Sequence, residues 1–315
     1  MLYTNQVITI DDMAQDGIAE SVVSALEANG FKGKVVPVQH LYDLKREIQG
    51  LYDEGILDTT FYRNNLGFLR FEIPDACTDI SSIIITSAVQ PQKSVGFIFK
   101  GRQYHFTVPP TYSYDTDQTV EKVISEVIKP RGFHLWPVKL PLKLLAVHSG
   151  LAKYGRNNIT YVEGCGSFHR LRAYFSDIPE GENSWCGPEM LEQCHTCRAC
   201  LQKCPTGAIV PHHFIIQAER CLTLHNEASD DFPGWIEPAW HNSLIGCMTC
   251  QLVCPANKAS RNWIEDGGQF NQEETRLILS GARHELTEAT VGKLRKLGLL
   301  EDFDLLPRNL RVLLN

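Results

Sequence analysis

Eight of the eleven cysteines lie in two runs whose spacing is that of iron–sulfur ligands. The first run reads C-x2-C-x2-C-x3-C-P, and the second ends in C-x2-C-x3-C-P with one further cysteine well before it. In bacterial proteins with the first spacing, three thiolates hold one 4Fe-4S cube and the fourth, ahead of proline, binds the neighbouring cube. The two runs therefore predict a pair of clusters, and with them a protein that transfers electrons.

The same spacing predicts which cysteines share a cluster. Three cysteines at three-residue intervals can surround one cube while the fourth points the other way. The first cluster should then take Cys194, Cys197, Cys200 and Cys254. The second cluster should take Cys204, Cys221, Cys247 and Cys250. The long gap after Cys221 predicts a segment inserted into the second motif.

Two other uses of the cysteines are possible. Zinc also binds thiolates arranged in C-x2-C pairs, but eight ligands and two C-P endings fit crossed clusters better. A disulfide framework is disfavoured, because the N-terminus lacks a signal-peptide pattern and the chain has enough apolar residues for a core. Three cysteines lie outside the pattern and are expected to be buried or loop thiols: Cys77, Cys165 and Cys186.

Length and composition predict a globular chain of about two domains. The 315 residues are 43% hydrophobic, and no apolar stretch is long enough to cross a bilayer. The net charge of −7 gives no general electrostatic reason to bind nucleic acid. Oxygen-sensitive clusters and unpaired thiols favour the reducing cytoplasm as the location.

Hydrophobic periodicity predicts a mixture of helices and strands around the cysteine runs. The predicted elements are a helix at 18–28, an edge strand at 35–38, a helix over 41–51, a buried central strand at 83–86, a hairpin of 95–99 with 103–108, and helices at 117–127 and 140–151. Two short amphipathic helices, at 273–279 and 291–300, are predicted to cover the cluster domain.

A glycine-rich segment occupies residues 150–167, with polar and aromatic side chains between the glycines. Glycines allow the backbone to approach a ligand closely. The spacing is not the G-x-G-x-x-G of a nicotinamide site. On spacing alone, a ligand site and a set of tight turns remain equally compatible with this segment.

These residues together resemble the family of epoxyqueuosine reductase, whose wider relatives include the reductive dehalogenases. The likeness covers residues 140–260 and rests on Gly150-Leu151, Tyr154-Gly155-Arg156-Asn157, Gly166-Ser167-Phe168, Phe175-Ser176-Asp177-Ile178-Pro179 and the two cysteine runs with their C-P-T-G and C-P-A-N-K endings. The cysteine portion is highly specific, whereas the first 110 residues match only in general texture.

The resemblance implies a fold and a set of cofactors. It implies an α/β (α+β) N-terminal corrinoid-binding, nitroreductase-like domain at 1–180, a bacterial-ferredoxin-like domain with two 4Fe-4S clusters at 181–265, and a short helical tail at 266–315. The corrinoid would be a cobalamin with its lower base displaced, reduced by the clusters. Its pocket would include Gly150, Gly155, Asn157, Gly166 and Ser167. The electrons would come from a low-potential donor such as ferredoxin or flavodoxin.

The chain also departs from that family. Trp136 stands where an epoxyqueuosine reductase has the aspartate that is its proposed proton donor, and the C-terminal helical repeats are absent or cut short. Both departures, with the acidic net charge, argue against a tRNA substrate and against a true epoxyqueuosine reductase. An enzyme would need another proton donor, and the candidates are Tyr154, Tyr112 and Tyr114, with Arg156 as an adjacent cation. For each tyrosine, the alternative favoured by sequence alone is a packed aromatic with its hydroxyl group on a loop.

Three functions follow as hypotheses. The first is a cobalamin-dependent iron–sulfur oxidoreductase that reduces a small organic substrate. The second is an electron-transfer or activase protein that reduces the corrinoid of a partner protein. The third is a ferredoxin-like carrier without cobalamin. A corrin-binding enzyme needs a cavity of about 1,000 Å³ or more beside one cluster, at the upper end of ordinary ligand sites.

Overall fold

A four-stranded antiparallel sheet forms the centre of the N-terminal half. The computed structural model describes residues 17–75, 77, 79–112 and 115–315. The strands of this sheet are β1 (Phe31–Pro37), β2 (Ser82–Val89), β5 (Leu135–Val138) and β8 (His169–Ser176), in the spatial order β1-β2-β8-β5. Pro37, at the end of β1, lies on an edge strand, where its missing N–H costs no ladder bond.

Helices cover both faces of this sheet. Helices α1 (Ile18–Ala28) and α3 (Asp115–Ile128) pack on one face, and α2 (His40–Asp53) and α4 (Leu142–His148) pack on the other. Side chains of β2 alternate between the two cores, with Ile84 in one and Ile83 and Ile85 in the other. All three are fully buried. The predicted central strand and the mixed α and β content are therefore confirmed.

A second, three-stranded sheet joins distant parts of the chain. Its strands are β3 (Gln92–Phe99), β4 (Arg102–Val108) and β9 (Ile264–Phe270), in the order β4-β3-β9. Strands β3 and β4 form the predicted hairpin, with Lys100 and Gly101 both at positive φ, as a tight primed turn requires. Strand β9 pairs with β3 in parallel and was not predicted from its polar, glycine-containing sequence.

The C-terminal tail packs into this second sheet. Its helices are α8 (Gln272–Ser280), α9 (Glu288–Lys296) and α10 (Leu306–Leu313). Their apolar residues share one core with β3 and with Leu244 and Ile245, which precede the second cysteine run. The domain boundary predicted at 265 falls inside β9, so the structure makes the tail an integral part of the fold.

The cysteine-bearing region consists of short helices joined by irregular chain. Its helices are α5 (Ala199–Lys203), α6 (Leu222–Glu227) and α7 (Thr249–Leu252). The glycine-rich segment contributes a two-stranded ladder of β6 (Lys153–Tyr154) and β7 (Thr160–Tyr161). A helical turn, Thr59–Phe61, continues as the π-helical turn Tyr62–Leu66. Within the described ranges, we find no helix of the length and apolarity needed to traverse a bilayer.

One buried network joins the glycine-rich segment to the second cysteine run. Asn257 is fully buried and accepts a hydrogen bond from the Ser167 backbone N–H at 2.9 Å. Its amide Nδ2 donates to Ser167 Oγ at 2.7 Å and to the Gln251 carbonyl at 2.9 Å. Ser167 Oγ in turn donates to Gln251 Oε1 at 2.9 Å. The C-P-A-N ending therefore holds the Gly166-Ser167 turn in place.

Replacing Gly166 by alanine is expected to disturb this contact. Gly166 has a φ of 65°, and an added Cβ would lie 2.5 Å from Asn257 Oδ1. Gly164 has a similar φ of 77° but nothing within 4 Å of such a Cβ. Backbone strain of about 1–2 kcal/mol should appear in both variants, and overpacking should add about 1–3 kcal/mol for Gly166→Ala alone. Anaerobic denaturant unfolding measures the unfolding free energy of Gly166→Ala and Gly164→Ala. Equal decreases in the two variants would count against the described packing.

Candidate functional site

Four cysteines from both runs line one small cavity. They are Cys194, Cys197, Cys200 and Cys254. Burial, followed by the neighbouring thiolates of Cys194 and Cys254, raises the pKa of Cys200 to about 11. Burial is also the main cause of the raised pKa of Cys194. Deprotonation of these thiols would therefore be favoured by a positively charged partner, which the irons of a cluster would supply.

The other four cysteines line a second and larger cavity. They are Cys204, Cys221, Cys247 and Cys250. Burial, together with the neighbouring thiolates, raises the pKa of both Cys221 and Cys250. The structure thus brings together the same two sets of four that the spacing predicted. All eleven cysteines carry free thiols.

The arrangement of the thiols suits a cluster better than a single ion. Among the residues that the structure describes, no three His, Cys, Asp or Glu side chains converge closely enough to hold one metal ion. A tetrahedral zinc site needs all its thiolates about 2.3 Å from one point. A 4Fe-4S cube instead binds each of its four thiolates at a different iron.

Part of the glycine-rich segment lies against the cysteines. Arg156 lines the first cavity, and Asn157 lines both cavities. The Asn157 amide contacts the Cys250 thiol and donates to the Tyr161 hydroxyl at 3.2 Å. That hydroxyl contacts the Cys254 thiol. Polar groups next to cluster sulfurs are a main determinant of cluster potential.

Glycines in this segment have structural roles that the close packing makes clear. A Cβ on Gly155 would lie 2.4 Å from the Tyr161 ring, so only glycine allows the turn between β6 and β7 to close. Gly150, with a φ of 74°, follows the last turn of α4 as a left-handed helix stop. Neither glycine, nor Gly166, lines the larger cavity.

The larger cavity has a volume of about 650 Å³. Among the predicted residues it is lined by Tyr112, Asn157 and Ser167, but not by Tyr154 or Arg156. Tyr154 is buried in the core and stacks on Phe214 with ring centroids 4.4 Å apart. Tyr114 lies outside the described residues. The structure therefore brings Tyr112, but not Tyr154, to the cavity beside the second cysteine set.

Three charged residues that the sequence did not single out also line the cavity: Lys143, Arg170 and Glu227. Lys143 Nζ donates to the Asn158 carbonyl at 3.0 Å and to Asn158 Oδ1 at 2.6 Å. Desolvation of the ammonium group in the cavity wall lowers the pKa of Lys143. The negative charges of Cys221, Glu227 and Cys250 act in the opposite direction. Glu227 is exposed at the surface but accepts a hydrogen bond from the Tyr112 hydroxyl, and desolvation in the cavity wall raises the pKa of its carboxyl group. No sequence pattern marked Lys143 or Glu227, because each is a single charge on a short helix.

His169 lies at the wall of the same cavity and is held as a neutral ring. Its ring nitrogens lie 3.0 Å from Thr160 Oγ1 and 3.2 Å from the Gly166 carbonyl. Burial lowers the pKa of His169 to about 4. The unfolded chain, with an ordinary histidine pKa of about 6.5, binds this proton at a higher pH than the folded chain. Folding stability should therefore fall as the pH falls from about 6.5 towards 4.

Replacing His169 by glutamine is expected to flatten this pH dependence. Between pH 7 and pH 5 the native histidine should cost about 2 kcal/mol of unfolding free energy, whereas glutamine does not titrate. Denaturant unfolding of both proteins at the two pH values measures the difference. If the unfolding free energy falls equally in the two proteins between pH 7 and pH 5, His169 is not held neutral.

Comparisons with known proteins agree with this site. Residues 193–257 match the family model described as a 4Fe-4S double cluster binding domain. An epoxyqueuosine reductase from Pseudomonas aeruginosa is 31% identical over 199 residues, which are 61% of this chain and 51% of that protein. One from Escherichia coli is 34% identical over 123 residues, 39% of this chain and 31% of that protein. The chain spans about half the length of the first of these relatives.

Solved structures show the same fold at low sequence identity. A selenomethionine-labelled epoxyqueuosine reductase superposes with a TM-score of 0.65 and 18% identity, covering 95% of this chain and 82% of that one. The enzyme from Streptococcus thermophilus gives a TM-score of 0.63 and 17% identity, covering 96% and 80%. Fold and cysteines together define an iron–sulfur protein with a double-cluster domain. Within that class, its family-level resemblance to epoxyqueuosine reductase is confirmed.

Proposed function

We propose that this protein is a reductase that delivers single low-potential electrons to a ligand bound in the cavity beside Cys204, Cys221, Cys247 and Cys250. The observation that carries the proposal is the shared wall: the second cysteine set lines the 650 Å³ cavity, and the first set does not. When bound, the two clusters would supply one-electron chemistry at low potential. The protein's own contribution is to hold them, to exclude water and to position the ligand.

The cluster of the first cysteine set would receive the electrons from an external donor. The turn that carries Cys194 and Cys197 is edged by exposed residues: Glu192, Gln193, His195, Thr196 and Arg198. A protein donor such as a ferredoxin or a flavodoxin could contact this surface. We place this exchange in the cytoplasm, where such donors and free thiols coexist.

A corrinoid is the ligand that the family resemblance implies, and it would supply cobalt as a strong nucleophile or one-electron donor. Asn157 and Ser167, on the wall beside the second cysteine set, would help to hold it. Location and lining support this assignment. The volume is the one requirement that the cavity does not meet, because 650 Å³ is smaller than the roughly 1,000 Å³ expected for a corrin.

The proton required for a reduction would come from Tyr112 and Glu227. The Tyr112 hydroxyl donates to Glu227, and desolvation in the cavity wall raises the pKa of that carboxyl group. Glu227 could therefore replace a proton that Tyr112 gives to the ligand, as a general acid next to the reacting group. This pair would take the role of the family's aspartate. Trp136, which stands in the place of that aspartate in the sequence, does not line the cavity. The substrate would be a small organic molecule, and we expect no nucleic acid.

The small cavity volume favours a second candidate function. In this alternative, the second cluster reduces the corrinoid of a partner protein, and the cavity holds only part of that cofactor or a smaller ligand. The chain would then act as an electron-transfer or activase protein. The two functions differ in whether the isolated chain binds a free corrinoid.

Electron paramagnetic resonance with cob(II)alamin separates these functions. Cluster-loaded protein is expected to convert the cobalt signal from base-on to base-off, and Asn65→Trp should abolish the conversion because Asn65 lines the cavity. Asn64→Trp is the matched control, since Asn64 is exposed and outside the lining. An unchanged cobalt signal, with reduction of a partner's corrinoid, would favour the second function. If the protein neither converts the cobalt signal nor reduces a partner's corrinoid, the remaining function is that of a simple electron carrier.

A further inference from the structure

Arg156 is buried beside the first cysteine set, where a guanidinium group is unusual. The residue is 6% exposed and lines the cavity formed by that set. Burying a permanent positive charge is costly unless nearby groups of opposite charge or hydrogen-bond acceptors compensate. Among the described residues, Arg156 forms no ion pair of 4.0 Å or less with a carboxylate.

Three contacts hold Arg156 in place, two of them with Cys194. Nη1 donates to the Pro211 carbonyl at 2.6 Å, and Nη2 donates to the Cys194 carbonyl. The backbone N–H of Arg156 donates to the Cys194 thiol. Both Nη atoms of the guanidinium group are thus held by main-chain carbonyls.

One donor of this side chain remains without a partner. Nε of Arg156 is fully buried and has no hydrogen-bond acceptor among the described residues. A buried N–H without an acceptor costs about 1–3 kcal/mol. The cavity it lines is the one formed by Cys194, Cys197, Cys200 and Cys254. A cluster bound there would place sulfur acceptors in the same cavity.

We propose that Arg156 is a positioning residue for the first cluster: its charge and its Nε–H stabilise the reduced cluster through a sulfur atom and raise its reduction potential above that of the second cluster. The inference rests on the proposed assignment of the two cysteine sets. Reduction adds negative charge to the cluster, and a cation or an N–H donor next to the sulfurs stabilises that added charge.

The second cysteine set has a weaker counterpart. Lys143 is close enough to Cys221 and Cys250 for an electrostatic effect, but its hydrogen bonds go to Asn158. Arg156 contacts Cys194 directly through its backbone and its side chain. The second set also has neutral donors, from the Asn157 amide to Cys250 and from the Asn242 amide to Cys247 at 3.3 Å. A full positive charge stabilises the added negative charge of a reduced cluster more than a neutral amide does, so the first cluster should be reduced first.

Potentiometric titration of Arg156→Met and Arg156→Lys, followed by electron paramagnetic resonance, tests the proposal. At a fixed potential, Arg156→Met should lower the reduced-to-oxidised ratio of the first cluster about tenfold, which is 59 mV for one electron. Arg156→Lys, which keeps the charge but lacks the Nε–H fork, should give a smaller shift in the same direction. The second cluster should keep its potential in both variants, and Lys143→Met, the matched control, should shift the second cluster only.

A measurement on the unaltered side chain covers the case in which the variants lose iron. In protein that carries Cys250→Ala and arginine labelled with 15N only in the guanidinium group, the remaining first cluster should show hyperfine coupling to a guanidinium nitrogen. No coupling, or an unchanged first-cluster potential in Arg156→Met with full iron content, overturns the proposal. Absence of iron from the wild-type protein would instead reject the cluster assignment itself.

Discussion

Cys254→Ala should give the same spectroscopic defect as Cys197→Ala, although the two residues belong to different cysteine runs. Both variants should lose one cluster, about half of roughly eight irons per chain, and keep the signal of the other. Cys204→Ala and Cys250→Ala should show the complementary loss. The physical reason is that the fold closes Cys254 onto the cavity of the first run, whereas Cys204 faces the second.

Iron and sulfide analysis with electron paramagnetic resonance of the four variants makes this comparison. Cys186→Ala is the control, because Cys186 is an exposed thiol outside both sets. It should retain both clusters. If Cys254→Ala resembled Cys250→Ala, each run would hold its own cluster and the crossed arrangement would be wrong.

Asn257→Ala should be among the most destabilising single substitutions outside the cysteines. It removes one acceptor and two donated hydrogen bonds from a fully buried network with Ser167 and Gln251. The Ser167 N–H would then be buried without a partner, and the Gln251 carbonyl would keep only the Cys254 N–H at 3.3 Å. Together these changes should lower the unfolding free energy by about 2–4 kcal/mol. Cluster retention should fall as well, because Asn257 lies three residues beyond Cys254.

Asn271→Ala provides the comparison for this substitution. Asn271 caps α8 by accepting from the Glu274 N–H at 2.9 Å, far in sequence from the cysteines. Loss of such a cap costs about 1 kcal/mol, and the clusters should stay intact. Anaerobic unfolding and iron content of both variants measure the contrast. Similar losses for the two asparagines would mean that the Ser167 network does not hold the two parts of the chain together.

Local sequence patterns were sufficient for much of the fold. Helix α1 begins and ends at the predicted residues, and the buried run at 83–86 forms the centre of β2. These elements are set by periodicity and burial, which short stretches of sequence express directly. The pairing of β9 with β3 depends on residues more than 160 positions apart, and the sequence of β9 has no apolar alternation. The conformation of β9 therefore depends on its hydrogen bonds to β3 and not on its own sequence pattern.

The candidate site likewise combines features that local sequence predicts with features that only the tertiary fold creates. Cysteine spacing encodes the two ligand sets because iron–sulfur geometry restricts it closely. The place of Arg156 could not be derived in this way, since it was expected to be the cation beside a proton-donating tyrosine and the structure puts it beside Cys194. Glu227 and Lys143 meet in the cavity only through the tertiary fold.

The most direct measurement is the relaxation of the cobalt signal of bound cob(II)alamin with the clusters oxidised and then reduced. We expect a base-off cobalt signal that broadens or relaxes faster when the second cluster becomes paramagnetic, because that cysteine set forms a wall of the cavity. The effect should vanish in Cys250→Ala and persist in Cys197→Ala. A base-on cobalt signal that is indifferent to cluster reduction would contradict a reductase that delivers electrons to a corrinoid in this cavity.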